Sequence, residues 1–233
     1  MTAAFFDRSS LDAAIVDLDG TMVDTLGDFA AALGGMLQDL SLPPIDVNVI
    51  GTLVGKGSEH LIRAVLQQVG APSPEVLFDH AWTRYQQHYL AINGQHSTVY
   101  PGVADGLAAL RAQGLRLACL TNKPLAFARP LLAAKGLDGF FDHVFGGDSF
   151  ARKKPDPLPL LGTCEALGSA PGRTLAIGDS SNDAQAARAA GCRVVLVSYG
   201  YNHGRPVREV PADAYVDSLA DLRLDIRPGG TAH

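Results

Sequence analysis

Short apolar runs recur along the chain, and polar residues or glycine close each of them. Continuous apolar runs of about four to six residues are typical of strands that are buried on both faces, as in a parallel sheet. We interpret the segments 13–17, 115–120, 174–177 and 193–197 as such strands, with weaker ones at 143–145 and 214–216.

Helical patterns fill the intervals between these runs. Apolar residues repeat at helical spacing over 103–113, 125–135, 158–167 and 182–190. Glycine follows the last three of these segments, where it would cap the helix. Strands that alternate with helices predict an α/β fold with a doubly wound parallel sheet, that is, a Rossmann-like core.

One interval interrupts this alternation. The loop between a strand and a helix usually has about 2–6 residues, but a much longer and mostly helical segment follows the first strand. Candidate helices lie at 26–40, 58–69 and 74–90. We therefore predict that residues 25–97 form a helical domain, inserted into a core made of residues 1–24 and 98–233.

The composition is that of an ordinary globular protein, with 47% hydrophobic and 18% charged residues. The formal net charge of −5 argues against nucleic acid as a partner, although a local positive site could still bind a small anion. No apolar stretch reaches the ~20 residues of a membrane span. Residues 1–12 also lack the apolar run of a signal peptide. The three cysteines have no metal-binding spacing, so we expect a cytoplasmic protein, with a frayed tail over 227–233.

Polar side chains follow the predicted strands at the edge where an open parallel sheet binds its ligands. Ordered along the chain, they are Asp17 and Asp19 after the first strand, Thr121 and Asn122 after the second, Lys154, and then Asp179 and Asp183 after the fourth. Clustered carboxylates repel one another unless a cation compensates them, and an all-oxygen site selects a hard cation such as Mg²⁺. Together with the lysine, the hydroxyl and a helix N-terminus, this set could cradle a phosphate.

The two carboxylates of the Asp17-x-Asp19 pair can take different roles at such a site. One can attack phosphorus and become an aspartyl-phosphate, while the other protonates the leaving oxygen and then activates water. We expect Thr21 to hydrogen-bond the second carboxylate and hold it in place.

Four motifs in this order carry a resemblance to a known family. They are Asp17-Leu-Asp-Gly-Thr21, Leu120-Thr-Asn122, Lys154-Pro-Asp-Pro157 and Gly178-Asp-Ser-Ser-Asn-Asp183. With them, nearly the whole chain resembles the haloacid dehalogenase superfamily of phosphohydrolases. The inserted segment 25–97 matches the helical cap that one branch of this superfamily carries after its first motif.

The resemblance implies a role for each motif residue. Asp17 would be the nucleophile and a metal ligand, and Asp19 the general acid and base, with its backbone carbonyl on the metal. Asp179 would be the third ligand of a Mg²⁺ ion. The remaining residues would be Asp183 as the acid that supports the site, Thr121 and Asn122 as the phosphate grip, and Lys154 as the motif lysine, with Lys153 as the alternative.

Two further segments narrow the resemblance. Leu53-Val-Gly-Lys-Gly57 and Tyr100-Pro-Gly-Val103 are similar to segments of phosphoglycolate phosphatases, which hydrolyse 2-phosphoglycolate to glycolate and phosphate. Gly55 and Lys56 would then bind the substrate from the cap. The other interpretation of this loop is a flexible turn with a solvated lysine.

Several alternatives stay open at this point. The substrate could be another small phosphate, namely a sugar phosphate, a nucleotide or pyrophosphate, and a sugar phosphomutase would share Asp17 and Asp19. A receiver domain is disfavoured, because such domains are about half this length and lack a cap. The sequence is compatible with a monomer or a dimer. It also leaves open whether Tyr199, Tyr201, Asn202 and His203, which follow the fifth strand, line the rim of the site.

Overall fold

The computed structural model describes residues 4–225, so the predicted frayed tail at 227–233 lies outside the described residues. Within this range the chain forms ten strands and eight α-helices. The strands are β1 (Ala4–Asp7), β2 (Ala13–Val16), β3 (Val23–Asp24), β4 (Thr98–Val99), β5 (Arg116–Leu120), β6 (His143–Phe145), β7 (Thr174–Gly178), β8 (Arg193–Val197), β9 (Ala214–Val216) and β10 (Leu222–Asp225). The helices are α1 (Leu26–Asp39), α2 (Val47–Leu53), α3 (Ser58–Gln68), α4 (Pro74–Ile92), α5 (Val103–Ala112), α6 (Leu125–Ala134), α7 (Leu158–Ala166) and α8 (Ser181–Ala190).

A six-stranded parallel sheet forms the centre of the molecule, in the order β6-β5-β2-β7-β8-β9. It contains every strand that the apolar runs predict, and it confirms the doubly wound α/β fold. Strand β2 lies between β5 and β7, with Val16 paired with Cys119 on one side and Ile177 on the other. The segments after these three strands therefore meet at the middle of one sheet edge.

Helices cover both faces of the sheet, and alternate residues of a strand pack against the helices on opposite faces. On β2, Ala14 and Val16 belong to the buried cluster that includes α5 and α6. Ala13 and Ile15 belong instead to the cluster that includes α7 and α8. Because successive side chains of a strand point to opposite faces, a strand covered on both faces has to be apolar throughout.

The inserted helices α1 to α4 lie between β3 and β4, and these two short strands pair antiparallel where the chain leaves the core and returns to it. The helices share a separate buried cluster that contains Leu33, Ile62 and Tyr89 together with Phe127 from α6 of the core. The helical segment thus has its own apolar centre, which two aromatic residues of the core, Phe127 and Tyr201, contact.

Three features of the fold have no counterpart in the sequence interpretation. Helix α2 has seven residues, of which only Ile50 is buried, and the Asp46 carboxylate caps it by accepting a hydrogen bond from the Asn48 N–H at 2.7 Å. Such a short helix gives no periodic apolar signal. The pair β3–β4 has two residues on each strand and the pair β1–β10 has four, and both form only through partners that are distant in sequence.

Cys119 lies fully buried on β5, inside the apolar run 115–120. Among the described helices, none combines the length and the apolar character that a membrane crossing requires.

Candidate active site

A pocket lies over the carboxyl ends of β2, β5 and β7, where the helical segment faces the core. Residues of both parts line it. The core contributes Asp17, Asp19, Thr121, Asn122, Lys123, Asp179, Ser180 and Tyr201, and the helical segment contributes Phe29, Val54, Gly55, Gly57, Ser58 and Leu61. The pocket therefore contains most of the residues that the motifs single out.

Lys154 lies between two of the carboxylates. Its Nζ is 2.9 Å from Asp17 Oδ1 and donates to Asp183 Oδ1 at 2.6 Å. Burial alone would lower the pKa of Lys154, but the two carboxylates outweigh burial and hold that pKa above its usual value. Lys153, the alternative, is one-third exposed, with its Nζ 3.4 Å from Glu59. The structure thus brings Lys154 and not Lys153 to Asp17.

Burial disfavours the charged forms of the Asp17 and Asp179 carboxyl groups. Burial raises the pKa of Asp17 to about 7, although Lys154 acts against it. Burial, and then the charges of Asp183 and Asp17, raise the pKa of Asp179 well above its usual range. Within the described residues, Asp17 Oδ1 accepts no aligned hydrogen bond, because its contact with Lys154 is an ion pair only.

These carboxylates fit a hard divalent cation. Oxygens of Asp17, Asp179 and Asp183 lie within 4.8 Å of one another. Asp183 is already occupied, because Oδ1 accepts from Lys154 and Oδ2 accepts from the hydroxyl and N–H of Ser180. Asp17 and Asp179 are thus the carboxylates that could hold a metal ion, and oxygen ligands suit Mg²⁺. Asp183 instead fixes the position of the Lys154 ammonium and of the start of α8.

Asp179 is oriented from two sides. The Thr21 hydroxyl donates to Oδ1 at 3.1 Å, and the Tyr201 N–H donates to Oδ2 at 2.6 Å. The expectation that Thr21 fixes Asp19 is therefore wrong. The hydroxyl that binds Asp19 is that of Thr25, at 2.8 Å. The turn after β2 carries Thr21 toward β7, while Thr25 starts the helical segment above Asp19.

A glycine after β8 makes room for Asp179. A Cβ atom at Gly200 would lie 2.1 Å from the Cβ of Asp179 and 2.3 Å from its Oδ2, much closer than atoms can pack. The segment after β8 therefore reaches Asp179 only because residue 200 has no side chain. The next residue, Tyr201, then delivers its N–H to the carboxylate.

Lys123 is a site residue that the sequence analysis did not single out. Its ammonium donates to Asp19 Oδ1 at 2.8 Å, and its side chain is 1% exposed. The nitrogen also lies 4.4 Å from the ring centre of Phe29 and 4.6 Å from that of Tyr89. Its position directly after Asn122, at the end of a predicted strand, could have indicated a site residue. Only the structure shows which carboxylate it contacts.

Asn122 and Gly55 join the helical segment to the core. The Asn122 amide donates to the carbonyls of Gly55 at 3.0 Å and Lys154 at 2.8 Å, and its Oδ1 accepts from the Lys154 N–H. Asn182 donates to the same Gly55 carbonyl at 3.1 Å. The side chain of Asn122 is therefore fully engaged, which leaves the Thr121 hydroxyl and the backbone to face a phosphate.

The cap loop meets the core through its backbone, and its lysine points elsewhere. Gly57 has φ of +88°, and a Cβ there would lie 3.1 Å from the Asn122 carbonyl oxygen, which explains why glycine is needed. Gly55 lines the pocket. Lys56 is exposed and lines two open clefts outside the pocket, so the structure does not bring it to Asp17 or Asp19.

Tyr201 connects the core to the start of the helical segment. Its hydroxyl accepts from the N–H groups of Thr25 at 2.8 Å and Leu26 at 3.1 Å, and it donates to Asp24. Asp24 ends β3, Thr25 precedes α1, and Leu26 begins α1. Of the four residues after β8 that the sequence left open, Tyr201 is the one that lines the pocket.

Comparisons with known proteins agree with this site. The family model of haloacid dehalogenase-like hydrolases matches residues 11–191. A phosphoglycolate phosphatase of Thiobacillus denitrificans is 46% identical over 92% of this chain and 95% of its own. One of Nitrosospira multiformis is also 46% identical, over 90% of this chain and 92% of its own.

Among solved structures, a predicted phosphoglycolate phosphatase from Haemophilus somnus 129pt superposes with a TM-score of 0.86 at 35% identity. The match covers 91% of this chain and 96% of that one. The family model spans all four motifs, and the relatives are similar over nearly their whole length. The chain therefore belongs to the haloacid dehalogenase-like hydrolase family.

Proposed function

We propose that this hydrolase is a Mg²⁺-dependent phosphatase that converts 2-phosphoglycolate to glycolate and phosphate through an aspartyl-phosphate. The observation that carries the proposal is that Asp17 and Asp19 line one pocket and pair with different lysines. Lys154 contacts Asp17 from beneath the pocket, and Lys123 contacts Asp19 on the pocket wall. Two carboxylates, each beside its own cation, support a nucleophile and a separate acid. The relatives named phosphoglycolate phosphatase support the choice of substrate.

Asp17 is the nucleophile in this proposal. Asp17, the backbone carbonyl of Asp19, and Asp179 would hold the Mg²⁺ ion, which supplies positive charge against the phosphoryl oxygens when bound. A carboxylate oxygen of Asp17 attacks phosphorus in line with the ester bond and forms the aspartyl-phosphate. Lys154 keeps Asp17 in place and adds a positive charge 2.9 Å from it.

Asp19 is the acid and then the base. Its Oδ1 is held by Thr25 and Lys123, which orient the carboxyl group toward the pocket. Asp19 donates a proton to the ester oxygen as glycolate leaves, and it then takes a proton from the water that attacks the aspartyl-phosphate. Phosphate is released and Asp17 is restored as a carboxylate.

The helical segment 25–97 acts as a cap in this proposal. The Gly55 carbonyl accepts hydrogen bonds from the Asn122 and Asn182 amides, which hold the segment over the pocket. Phe29 and Leu61 contribute apolar surface that excludes bulk water. A small substrate fits such a covered pocket, and opening at the β3–β4 junction would let it enter.

The experiment is a measurement of phosphate release with Mg²⁺ and with a chelator. The substrates are 2-phosphoglycolate, a set of sugar phosphates, nucleotides and pyrophosphate. We expect metal-dependent release with 2-phosphoglycolate well ahead of the others. Release spread evenly over the other esters would reject the substrate. Isomerisation of a sugar phosphate without phosphate release would identify the activity as that of a phosphomutase instead of a phosphatase.

A further inference from the structure

Lys123 is a buried cation with unused hydrogen-bonding capacity. Its ammonium carries three N–H donors, and among the described residues one side-chain acceptor, Asp19 Oδ1, takes a hydrogen bond from it. The ring faces of Phe29 and Tyr89 lie beside the nitrogen. These rings favour a positive charge, but they accept no strong hydrogen bond. Lys123 can therefore bind a further anionic group without losing its present partner.

Lys123 is also the cation that faces the pocket. Of the described residues that line this pocket, it alone has a positively charged side chain. Lys154 is engaged by Asp17 and Asp183 beneath the pocket. Lys56 and Lys153 lie outside, on an open cleft. A substrate anion other than the phosphoryl group would meet Lys123 first.

We propose that the Lys123 ammonium binds the carboxylate of 2-phosphoglycolate and so selects a phosphate ester that carries an acid next to its ester carbon. This inference rests on the proposed function. It assigns substrate specificity to a core lysine at the end of β5, in place of the cap-loop residue Lys56.

The covalent structure of the substrate supports this placement. To be protonated by Asp19, the ester oxygen has to lie within hydrogen-bond distance of that carboxyl group, about 2.6–3.2 Å. In 2-phosphoglycolate only one methylene carbon separates this oxygen from the carboxylate. The Lys123 nitrogen lies 2.8 Å from Asp19 Oδ1, so it is within reach of that carboxylate.

Charge balance favours the same arrangement. The pocket wall carries the carboxylates of Asp17, Asp19 and Asp179, which would repel an acidic substrate. The Mg²⁺ ion of the proposed function would compensate the phosphoryl group, and the substrate carboxylate needs a cation of its own. The low exposure of Lys123 strengthens this attraction, because water does not screen it.

The test compares two substrates that differ at one group. In 2-hydroxyethyl phosphate a neutral hydroxymethyl group replaces the carboxylate of 2-phosphoglycolate. We expect Lys123→Met to lower kcat/KM for 2-phosphoglycolate roughly 10–100-fold more than for 2-hydroxyethyl phosphate, the factor of one charge-assisted hydrogen bond. The matched control is Lys56→Met, which should leave the ratio of the two kcat/KM values unchanged.

The outcomes separate this inference from the proposed function. A wild-type enzyme that does not prefer 2-phosphoglycolate over 2-hydroxyethyl phosphate would reject the proposed substrate, and this inference with it. A wild-type preference that Lys123→Met retains, or an equal loss on both esters, would overturn the inference alone. If the ratio of the two kcat/KM values changes in Lys56→Met but not in Lys123→Met, the cap loop and not Lys123 determines the specificity.

A second measurement remains decisive if Lys123→Met fails to fold. A crystal structure of the Asp17→Asn variant with Mg²⁺ and 2-phosphoglycolate should show a carboxylate oxygen within about 3.2 Å of Lys123 Nζ. A bound substrate whose carboxylate lies against another group would overturn the inference, while leaving the proposed function intact.

Discussion

The ammonium nitrogen of Lys154 lies 2.9 Å from Asp17 Oδ1, and both side chains are almost buried. The lysine comes from the segment before α7, and the aspartate comes from the end of β2. An ion pair in such a place stabilises little in itself, but the loss of one partner leaves the other charge buried and uncompensated.

Replacement of Lys154 by methionine should therefore affect both stability and activity. We expect Lys154→Met to destabilise the fold by about 3–5 kcal/mol, because Asp17 and Asp183 lose their common cation. Activity should fall by several decades. Thermal unfolding and phosphate release measure the two effects. The matched control is Lys153→Met, the exposed neighbour, which should behave like the wild type. A Lys154→Met enzyme with normal turnover would contradict this role.

Asp17→Asn tests the nucleophile. The amide cannot form the aspartyl-phosphate, so we expect turnover to fall by several decades, each decade being about 1.4 kcal/mol of activation barrier. The fold should persist, because Lys154 keeps its ion pair with Asp183 when Asp17 loses its charge. Steady-state phosphate release and circular dichroism provide the measurement. Turnover near that of the wild type would rule out Asp17 as the attacking group.

The stabilisation that Mg²⁺ confers should depend on pH. Burial raises the pKa of Asp17 from 3.8 to about 7 in the folded protein. A carboxyl group with a raised pKa stabilises the fold below its unfolded pKa, and this contribution is lost as the pH rises through about 7. Asp179 acts in the same direction, because its pKa is raised as well. The metal-free protein therefore loses the contribution of Asp17 to its stability between about pH 4 and pH 7.

Mg²⁺ favours the ionised carboxylates, so the increase in Tm on addition of Mg²⁺ should be larger at pH 8 than at pH 5. Each kcal/mol corresponds to about 2–4 °C in a chain of this size. Thermal unfolding at each pH, with Mg²⁺ and with a chelator, measures this increase in Tm. In the Asp17→Asn variant the dependence on pH should be weaker. An increase that is the same at both pH values would contradict the raised pKa of these carboxylates.

The contact between Gly200 and Asp179 predicts a steric effect on the metal site. In Gly200→Ala the new methyl group would collide with the Asp179 side chain, so we expect the carboxylate to move and the requirement for Mg²⁺ to rise at least tenfold. The Mg²⁺ dependence of the initial rate measures this.

Gly34→Ala is the control for this substitution. Gly34 lies on the exposed face of α1, and no atom lies within 4 Å of a Cβ placed there. The exchange should stabilise the helix by about 0.5–1 kcal/mol and leave the Mg²⁺ dependence unchanged. If both variants require the same Mg²⁺ concentration as the wild type, the close approach at Gly200 has no role in the site.

Tyr201→Phe tests the connection between the core and the cap. The variant loses the hydroxyl that binds Asp24 and the first N–H groups of α1. We expect a loss of about 1–3 kcal/mol in stability and a lower kcat/KM, because α1 carries Phe29 over the pocket. Tyr215→Phe is the control, since its hydroxyl binds the Val210 carbonyl away from the site. Equal effects of the two substitutions on kcat/KM would contradict a role for Tyr201 in positioning the cap.

Much of this fold follows from local patterns. The strands β2, β5, β7 and β8 are apolar on both faces, so each one is visible in the sequence without knowledge of its partners. The order of the motifs then predicts that Asp17, Thr121 and Asp179 come together, because the carboxyl ends of parallel strands share one edge. The structure agrees with this placement.

The contacts of individual side chains could not be predicted in the same way. Thr21 and Thr25 are both hydroxyl residues near Asp19, and only the path of the chain after β2 decides that Thr25 binds it. Lys56 and Lys123 are both lysines beside predicted helix starts. Their spacing in the sequence does not show that one is exposed while the other is enclosed by Phe29 and Tyr89.

The sequence by itself determined the α/β core, the inserted helices and the set of acidic residues after the strands, because apolar periodicity and strand-end motifs are local properties. The tertiary structure decided which cation meets which carboxylate, since it pairs Lys123 with Asp19 and Lys154 with Asp17 from segments far apart in the chain. Interactions of this kind depend on distances of a few ångström between elements, and residue order does not specify those distances.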